Sequence, residues 1–126
     1  MYVIRKQFTF SAAHHLRGLP ATHPCSRQHG HNYVVEVVLR SDTLNTVGFV
    51  RDYRELDKLK HVIDTDWDHK DLNDIVKFNP TAENLAKWLF DFCKSNWPET
   101  HAVRVSETPK TWAEYIDVHE PEFVYV

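Results

Sequence analysis

Cys25-Ser-Arg-Gln-His29-Gly-His31-Asn-Tyr33 is the stretch from which the rest of the chain can be ordered. It runs into Tyr33-Val-Val-Glu-Val-Val-Leu-Arg40, whose β-branched composition predicts a strand over about residues 31–42. Side chains two apart in a strand share a face. If strand geometry extends back to His29, the imidazoles of His29 and His31 project side by side. A third imidazole has a candidate in His14, which closes the alternating run Phe8, Phe10, Ala12, His14 of a strand over residues 2–14. Pairing of these two strands would bring three histidines together. Three imidazoles leave a tetrahedral Zn2+ ion one open position, the arrangement of catalytic zinc. Cys25 lies just ahead, at the end of a loop punctuated by Gly18, Pro20 and Pro24, where a thiol is well placed for chemistry.

The bulk properties narrow the class. A length of 126 residues with 42% hydrophobic and 13% aromatic content fits one globular domain over residues 1–126. A net charge of −3 argues against nonspecific nucleic-acid binding. No apolar run approaches the roughly 20 residues a membrane helix needs. Met1-Tyr-Val-Ile-Arg-Lys6 lacks the apolar segment of a signal peptide. Two cysteines, Cys25 and Cys93, in such a chain point to reduced thiols and a cytoplasmic location, although one disulfide between them is possible.

Further along, Asp52 and Glu55 resemble a capping box opening a helix with Leu56, Leu59 and Ile63 inward. The run from Asp64 to Asp74 holds five aspartates but lacks the glycine and closing glutamate of an EF-hand. Within it, Asp68-His69 has the form of an acid/base pair, yet taken alone it reads as a solvated turn. Asn79-Pro80-Thr81 opens a second helix with a stripe of Leu85, Trp88, Leu89 and Phe92, beside which Cys93 reads as a buried small residue. A third strand over 101–107 aligns Glu107 with Val103 and Val105. That carboxylate is either exposed at the strand end or, if buried, paired, protonated or facing a ligand. A fourth strand follows over 112–117; residues 118–126 have no predicted place. The order β-β-α-α-β-β predicts an α+β fold: a four-stranded antiparallel sheet with two helices on one face. Its open edges invite neighbouring subunits.

These residues together resemble the family of 6-pyruvoyl-tetrahydropterin and 6-carboxytetrahydropterin synthases. The carriers are Phe10-Ser-Ala-Ala-His14, Cys25 through Tyr33, Gly48-Phe-Val-Arg-Asp52-Tyr53, Asp68-His69-Lys-Asp-Leu-Asn-Asp74, Pro80-Thr81-Ala-Glu-Asn84 and Glu107-Thr108. The resemblance implies the tunnelling fold, closed into an oligomeric barrel, as a homohexamer of two trimers with active sites at subunit interfaces. It implies Zn2+ on His14, His29 and His31, Cys25 as general base, and Asp68 and His69 as a proton relay from a neighbouring subunit. Glu107 would anchor a pterin through its N–H groups, with Thr81 as a further contact. Ala82 replaces a hydroxyl residue that some relatives carry. Arg17, Arg27 and Lys70 are the basic candidates for a triphosphate.

The three-residue gap between Cys25 and His29 is similar to that of the bacterial carboxy-type enzymes of queuosine and 7-deazaguanine synthesis. The implied reaction converts 7,8-dihydroneopterin triphosphate to 6-carboxytetrahydropterin with loss of triphosphate and acetaldehyde. The alternatives are a pyruvoyl-type synthase, which only eliminates triphosphate, and a non-catalytic zinc- or pterin-binding module.

Overall fold

The structure, a computed structural model, describes residues 1–118. Two long strands, β1 (Tyr2–His14) and β2 (His29–Ser41), form an antiparallel pair without a register break. Strand geometry does reach back to His29, two residues earlier than strand composition alone predicts. The expected helix near Asp52 is composite. A 3₁₀ turn (Tyr53–Leu56) leads into α1 (Asp57–Val62), which ends in a π turn (Ile63–Trp67). A two-residue strand β3 (Lys70–Asp71) and a single helical turn α2 (Leu72–Ile75) follow. Then come α3 (Ala82–Asn96), β4 (Thr100–Thr108) and β5 (Thr111–Ile116).

Among the described residues the sheet has five strands in the order β3-β1-β2-β4-β5. The expectation of four strands, all antiparallel, is therefore corrected: β3 runs parallel to β1, pairing Lys70 and Asp71 with Ala12 and Ala13. Two residues have no periodicity to read, and their acidic neighbours resemble a turn. The tail from residue 119 lies outside the described residues.

The helices cover one face of the sheet. Phe8, Phe10, Tyr33, Val35, Val37, Val103 and Val105 pack there against Leu56, Leu59, Trp67, Leu85 and Leu89 in one core. The inward stripe of α3 is rotated from the expected one. Leu85, Ala86, Leu89, Phe90 and Cys93 are buried, while Trp88 sits at the margin, its ring 5.1 Å from Trp67 and 6.0 Å from Phe92. Aromatic rings tolerate that half-exposed position because one face can stack while the other meets water. Thr81 caps α3 by accepting from the Asn84 N–H at 3.1 Å. Both cysteines are free thiols; burial pushes the Cys93 thiol up to about 12, so it is inert as expected.

The opposite face carries a polar row. Gln7, Glu36, Arg104 and Glu114 stand opposite one another across four strands. Glu36 is only 6% exposed and accepts from Gln7 Nε2 at 2.8 Å and Arg104 Nη1 at 3.0 Å. Burial alone would raise its carboxyl pKa, but these hydrogen bonds and the charges of Arg104 and Arg5 hold it below the ordinary 4.5. A carboxyl lowered in the folded state stabilises fully above its unfolded value and loses that contribution as pH falls through the folded value. Glu36→Gln should therefore cost about 1–3 kcal/mol at neutral pH in urea unfolding. The difference from wild type should shrink as pH drops below 4.5.

Candidate metal centre and adjoining cavity

The register of β1 on β2 sets His14 opposite His29 and Ala12 opposite His31. His14, His29 and His31 each present one ring nitrogen, and these atoms lie within 4.8 Å of one another. The ring centroids are 4.6 to 5.0 Å apart and the planes nearly perpendicular, so the rings converge on a point instead of stacking. His14 is fully buried and the other two are half-buried.

Main-chain carbonyls orient two of the rings. His14 Nδ1 donates to the Pro80 carbonyl at 2.8 Å, and His29 Nδ1 donates to the Arg27 carbonyl at 2.7 Å. A carbonyl only accepts, so each Nδ1 carries the proton and each Nε2 presents a lone pair. Those two Nε2 atoms face each other at 3.0 Å. Two lone pairs at that distance repel unless a cation lies between them. His31 Nε2 is buried without a hydrogen-bond partner. The donor set thus fits a divalent metal held by neutral imidazoles with their far nitrogens anchored. Burial also lowers the pKa of His14 and His31 below the ordinary imidazole value, favouring the neutral, ligating form.

Glu107 ends the inward face of β4, and its Oε2 lies 3.7 Å from His31 Nε2, facing the histidines without hydrogen-bonding them. Glu107 and Thr81 line one cavity of about 330 Å³, with Leu16, Glu83 and Trp112 among its walls. The carboxylate is therefore neither a strand-end ornament nor paired with a cation. The Thr81 oxygen accepts the helix-capping bond, but its hydroxyl proton is still free to donate.

Cys25 sits half-buried in a 3₁₀ turn (Pro24–Ser26), and its carbonyl accepts from Leu16 N–H at 2.7 Å. Leu16 belongs to the cavity wall, so the thiol-bearing turn is tethered through its main chain to a residue that lines the Glu107 cavity.

Asp68 and His69 lie elsewhere. The π turn delivers Asp68 to the outer side of β1, where its Oδ1 accepts from Ser11 N–H at 2.9 Å and its Oδ2 lies 3.0 Å from His69 Nδ1. The Ser11 and His69 bonds hold the Asp68 carboxyl below its ordinary range. His69 has φ +60°, alone among the described non-glycine residues, and its side chain is 82% exposed. It lines a separate open cleft of about 540 Å³ with Ser11, His31, Asn32 and Lys70. Within one chain the structure thus sets Glu107 beside His31, lines one cavity with Glu107 and Thr81, and leaves the Asp68–His69 pair outside that cavity. Of the basic candidates, Arg17 donates its guanidinium to the Lys77 carbonyl at 2.9 Å, and Lys70 lines the His69 cleft.

Sequence reasoning missed the Pro80 and Arg27 carbonyls and Tyr33, whose hydroxyl lies 3.1 Å from His14 Nδ1. Alternation placed Tyr33 on the His31 face, which was the one available signal. Main-chain acceptors leave no mark in side-chain identity.

Three imidazoles on a sheet, opening beside a carboxylate-lined cavity, define a small-molecule site able to hold a metal ion. The sequence profile described as 6-pyruvoyl tetrahydropterin synthase matches residues 3–117, and the chain belongs to that family. It is 35% identical over 122 residues to the 6-carboxy-5,6,7,8-tetrahydropterin synthase of Synechocystis, covering 91% of this chain and 93% of that one. A putative 6-carboxy-5,6,7,8-tetrahydropterin synthase of Archaeoglobus fulgidus is 33% identical over 106 residues, covering 84% and 88%. The solved structure of Caenorhabditis elegans 6-pyruvoyl tetrahydropterin synthase superposes with a TM-score of 0.80 at 33% identity, covering 92% of this chain and 95% of that one. The fold is the tunnelling fold of these synthases. No helix among the described residues is long and apolar enough to cross a membrane.

The purified chain, stripped by a chelator, should rebind one equivalent of Zn2+ in a calorimetric titration. His14→Ala, His29→Ala or His31→Ala should each weaken binding by more than about 100-fold, the upper range for loss of an outer-shell partner.

Proposed function

We propose that this chain is a zinc-dependent 6-carboxy-5,6,7,8-tetrahydropterin synthase. Its substrate is 7,8-dihydroneopterin triphosphate, and with one water consumed it breaks the side-chain C1′–C2′ bond, leaving C1′ as the carboxylate and releasing acetaldehyde and triphosphate. The observation that carries the reading is the Cys25-x-x-x-His29-Gly-His31 spacing, on a chain whose carboxy-type relatives match over most of its length. The product would feed 7-deazapurine and queuosine synthesis in the cytoplasm.

The residues divide the work. Glu107 accepts the N–H groups of the pterin ring, and the Thr81 hydroxyl donates to a ring acceptor. His14, His29 and His31 would hold Zn2+, which supplies Lewis acidity toward the side-chain hydroxyls. Cys25 is the general base that takes the substrate proton. Asp68, held as a carboxylate, fixes His69 through Nδ1 and leaves the exposed side of the ring to exchange protons. Because that pair lies outside the Glu107 cavity of its own chain, it serves the site of a neighbouring copy in a homohexamer of two trimers. The open edges of β3 and β5 offer main-chain groups for closing such a barrel.

A second reading, the pyruvoyl-type synthase, is favoured by the likeness to the C. elegans structure. It shares every residue above but loses only triphosphate. Incubation of the zinc-loaded protein with dihydroneopterin triphosphate, followed by mass spectrometry, separates the two. Acetaldehyde with 6-carboxytetrahydropterin is the expected outcome; the pyruvoyl product without a two-carbon fragment would favour the second reading. Cys25→Ala should lower kcat by about 10²–10⁴-fold while leaving zinc content unchanged, as loss of a general base does. Glu107→Gln should raise KM. Zinc and pterin binding without turnover would leave only a binding module.

A further inference from the structure

The turn that carries Cys25 has an unusual cap. In a three-residue 3₁₀ turn, the main-chain donors need partners outside the turn. Pro24 has no N–H, and the Ser26 N–H closes on the His23 carbonyl at 3.0 Å. The Cys25 N–H is the one donor of the turn still to be satisfied, and it points at His23 Nδ1, 3.1 Å away. His23 makes two further bonds around the turn. Its own N–H donates to the Pro20 carbonyl at 2.9 Å. Its carbonyl also accepts from Ser26 Oγ at 2.7 Å, and Ser26 Oγ reaches the Ala21 carbonyl at 3.2 Å.

Histidine is not among the residues that usually cap helices, which are Ser, Thr, Asp and Asn. To accept from Cys25 N–H, the His23 ring must be neutral and protonated on Nε2. The ring is exposed, so it earns nothing from packing. Its ring hydrogen-bonds the Cys25 amide.

We infer that His23 is a positioning residue for Cys25: its imidazole Nδ1 holds the Cys25 amide and, with the Leu16 N–H on the Cys25 carbonyl, clamps the residue that bears the thiol to the wall of the Glu107 cavity. The inference rests on the reading of Cys25 as general base. The clamp works on both sides of one residue, amide and carbonyl, so it sets the direction of the side chain between them. Removing the acceptor frees the amide and lets the turn fray, while His14 and His29 keep the Pro80 and Arg27 carbonyls as their anchors.

The test compares His23→Ala with His23→Asn, whose side-chain oxygen can take the same amide. Two readouts are used on the zinc-loaded protein: turnover of dihydroneopterin triphosphate and the rate of Cys25 alkylation by iodoacetamide under native conditions. Cys93 is fully buried, so alkylation reports Cys25 alone. His23→Ala should alkylate about five- to tenfold faster and lose about five- to tenfold in kcat at unchanged KM and zinc content, the scale of a lost cap. His23→Asn should match wild type in both. The inference is overturned if His23→Ala behaves as wild type, if His23→Asn is as impaired as His23→Ala, or if zinc content falls with kcat. If Cys25→Ser keeps full turnover, the general-base reading fails, while the alkylation arm still tests the clamp on its own.

Discussion

Everything in the site depends on the pairing of β1 with β2. Thirteen residues of each strand meet in an unbroken antiparallel register from Tyr2↔Ser41 to His14↔His29. Side chains alternate with period two, so a slip of one residue would turn His14 away from His29 and His31 and drive Phe8 and Phe10 out of the core. The register that buries the apolar face is therefore the same register that gathers the imidazoles. Stability and site geometry are selected by one constraint.

The core pays part of the cost of the site's polarity by supplying fixed main-chain acceptors. Pro80, just before the cap of α3, reaches over the end of the sheet to His14, and Arg27, in the loop before β2, reaches His29. Both rings are thereby locked in the tautomer that leaves Nε2 free, and burial lowers the pKa of His14. A site left open to rotation would have no defined lone-pair direction. Here α3 contributes in three ways: Pro80 orients a ligand, Thr81 offers a hydroxyl at the cavity, and Leu85 and Leu89 hold the helix against the sheet.

The remaining chemistry is carried by short irregular pieces docked on this frame. A π turn and a left-handed histidine place Asp68 and His69 on the outer side of β1, gripped by both main-chain groups of Ser11. A 3₁₀ turn places Cys25, gripped at its amide and carbonyl. Regular strands give the three histidines their spacing, whereas these turns give Cys25, Asp68 and His69 each its own direction. Such turns tolerate the special backbone geometry because strong neighbours over-determine it.

The amino-acid sequence by itself determined the long strands, the capping of α3 by Thr81, the buried Cys93 and the common face of His14, His29 and His31. Each rests on a local rule, either alternation at period two or a cap at a fixed offset, which composition displays directly. The likeness of the motifs to pterin synthases was legible too, because it resides in side-chain identities. Tertiary structure alone decided the rest. It added β3, too short for any period, and replaced a simple first helix by 3₁₀, α and π segments. It rotated the buried face of α3 toward Ala86 and Phe90, because the sheet opposite, not the helix, chooses which residues it covers. It also set Glu107 against His31 and kept His69 out of the Glu107 cavity. Those placements depend on contacts between residues 57 or more positions apart, many through main-chain atoms that every residue shares. No local pattern in the sequence encodes them.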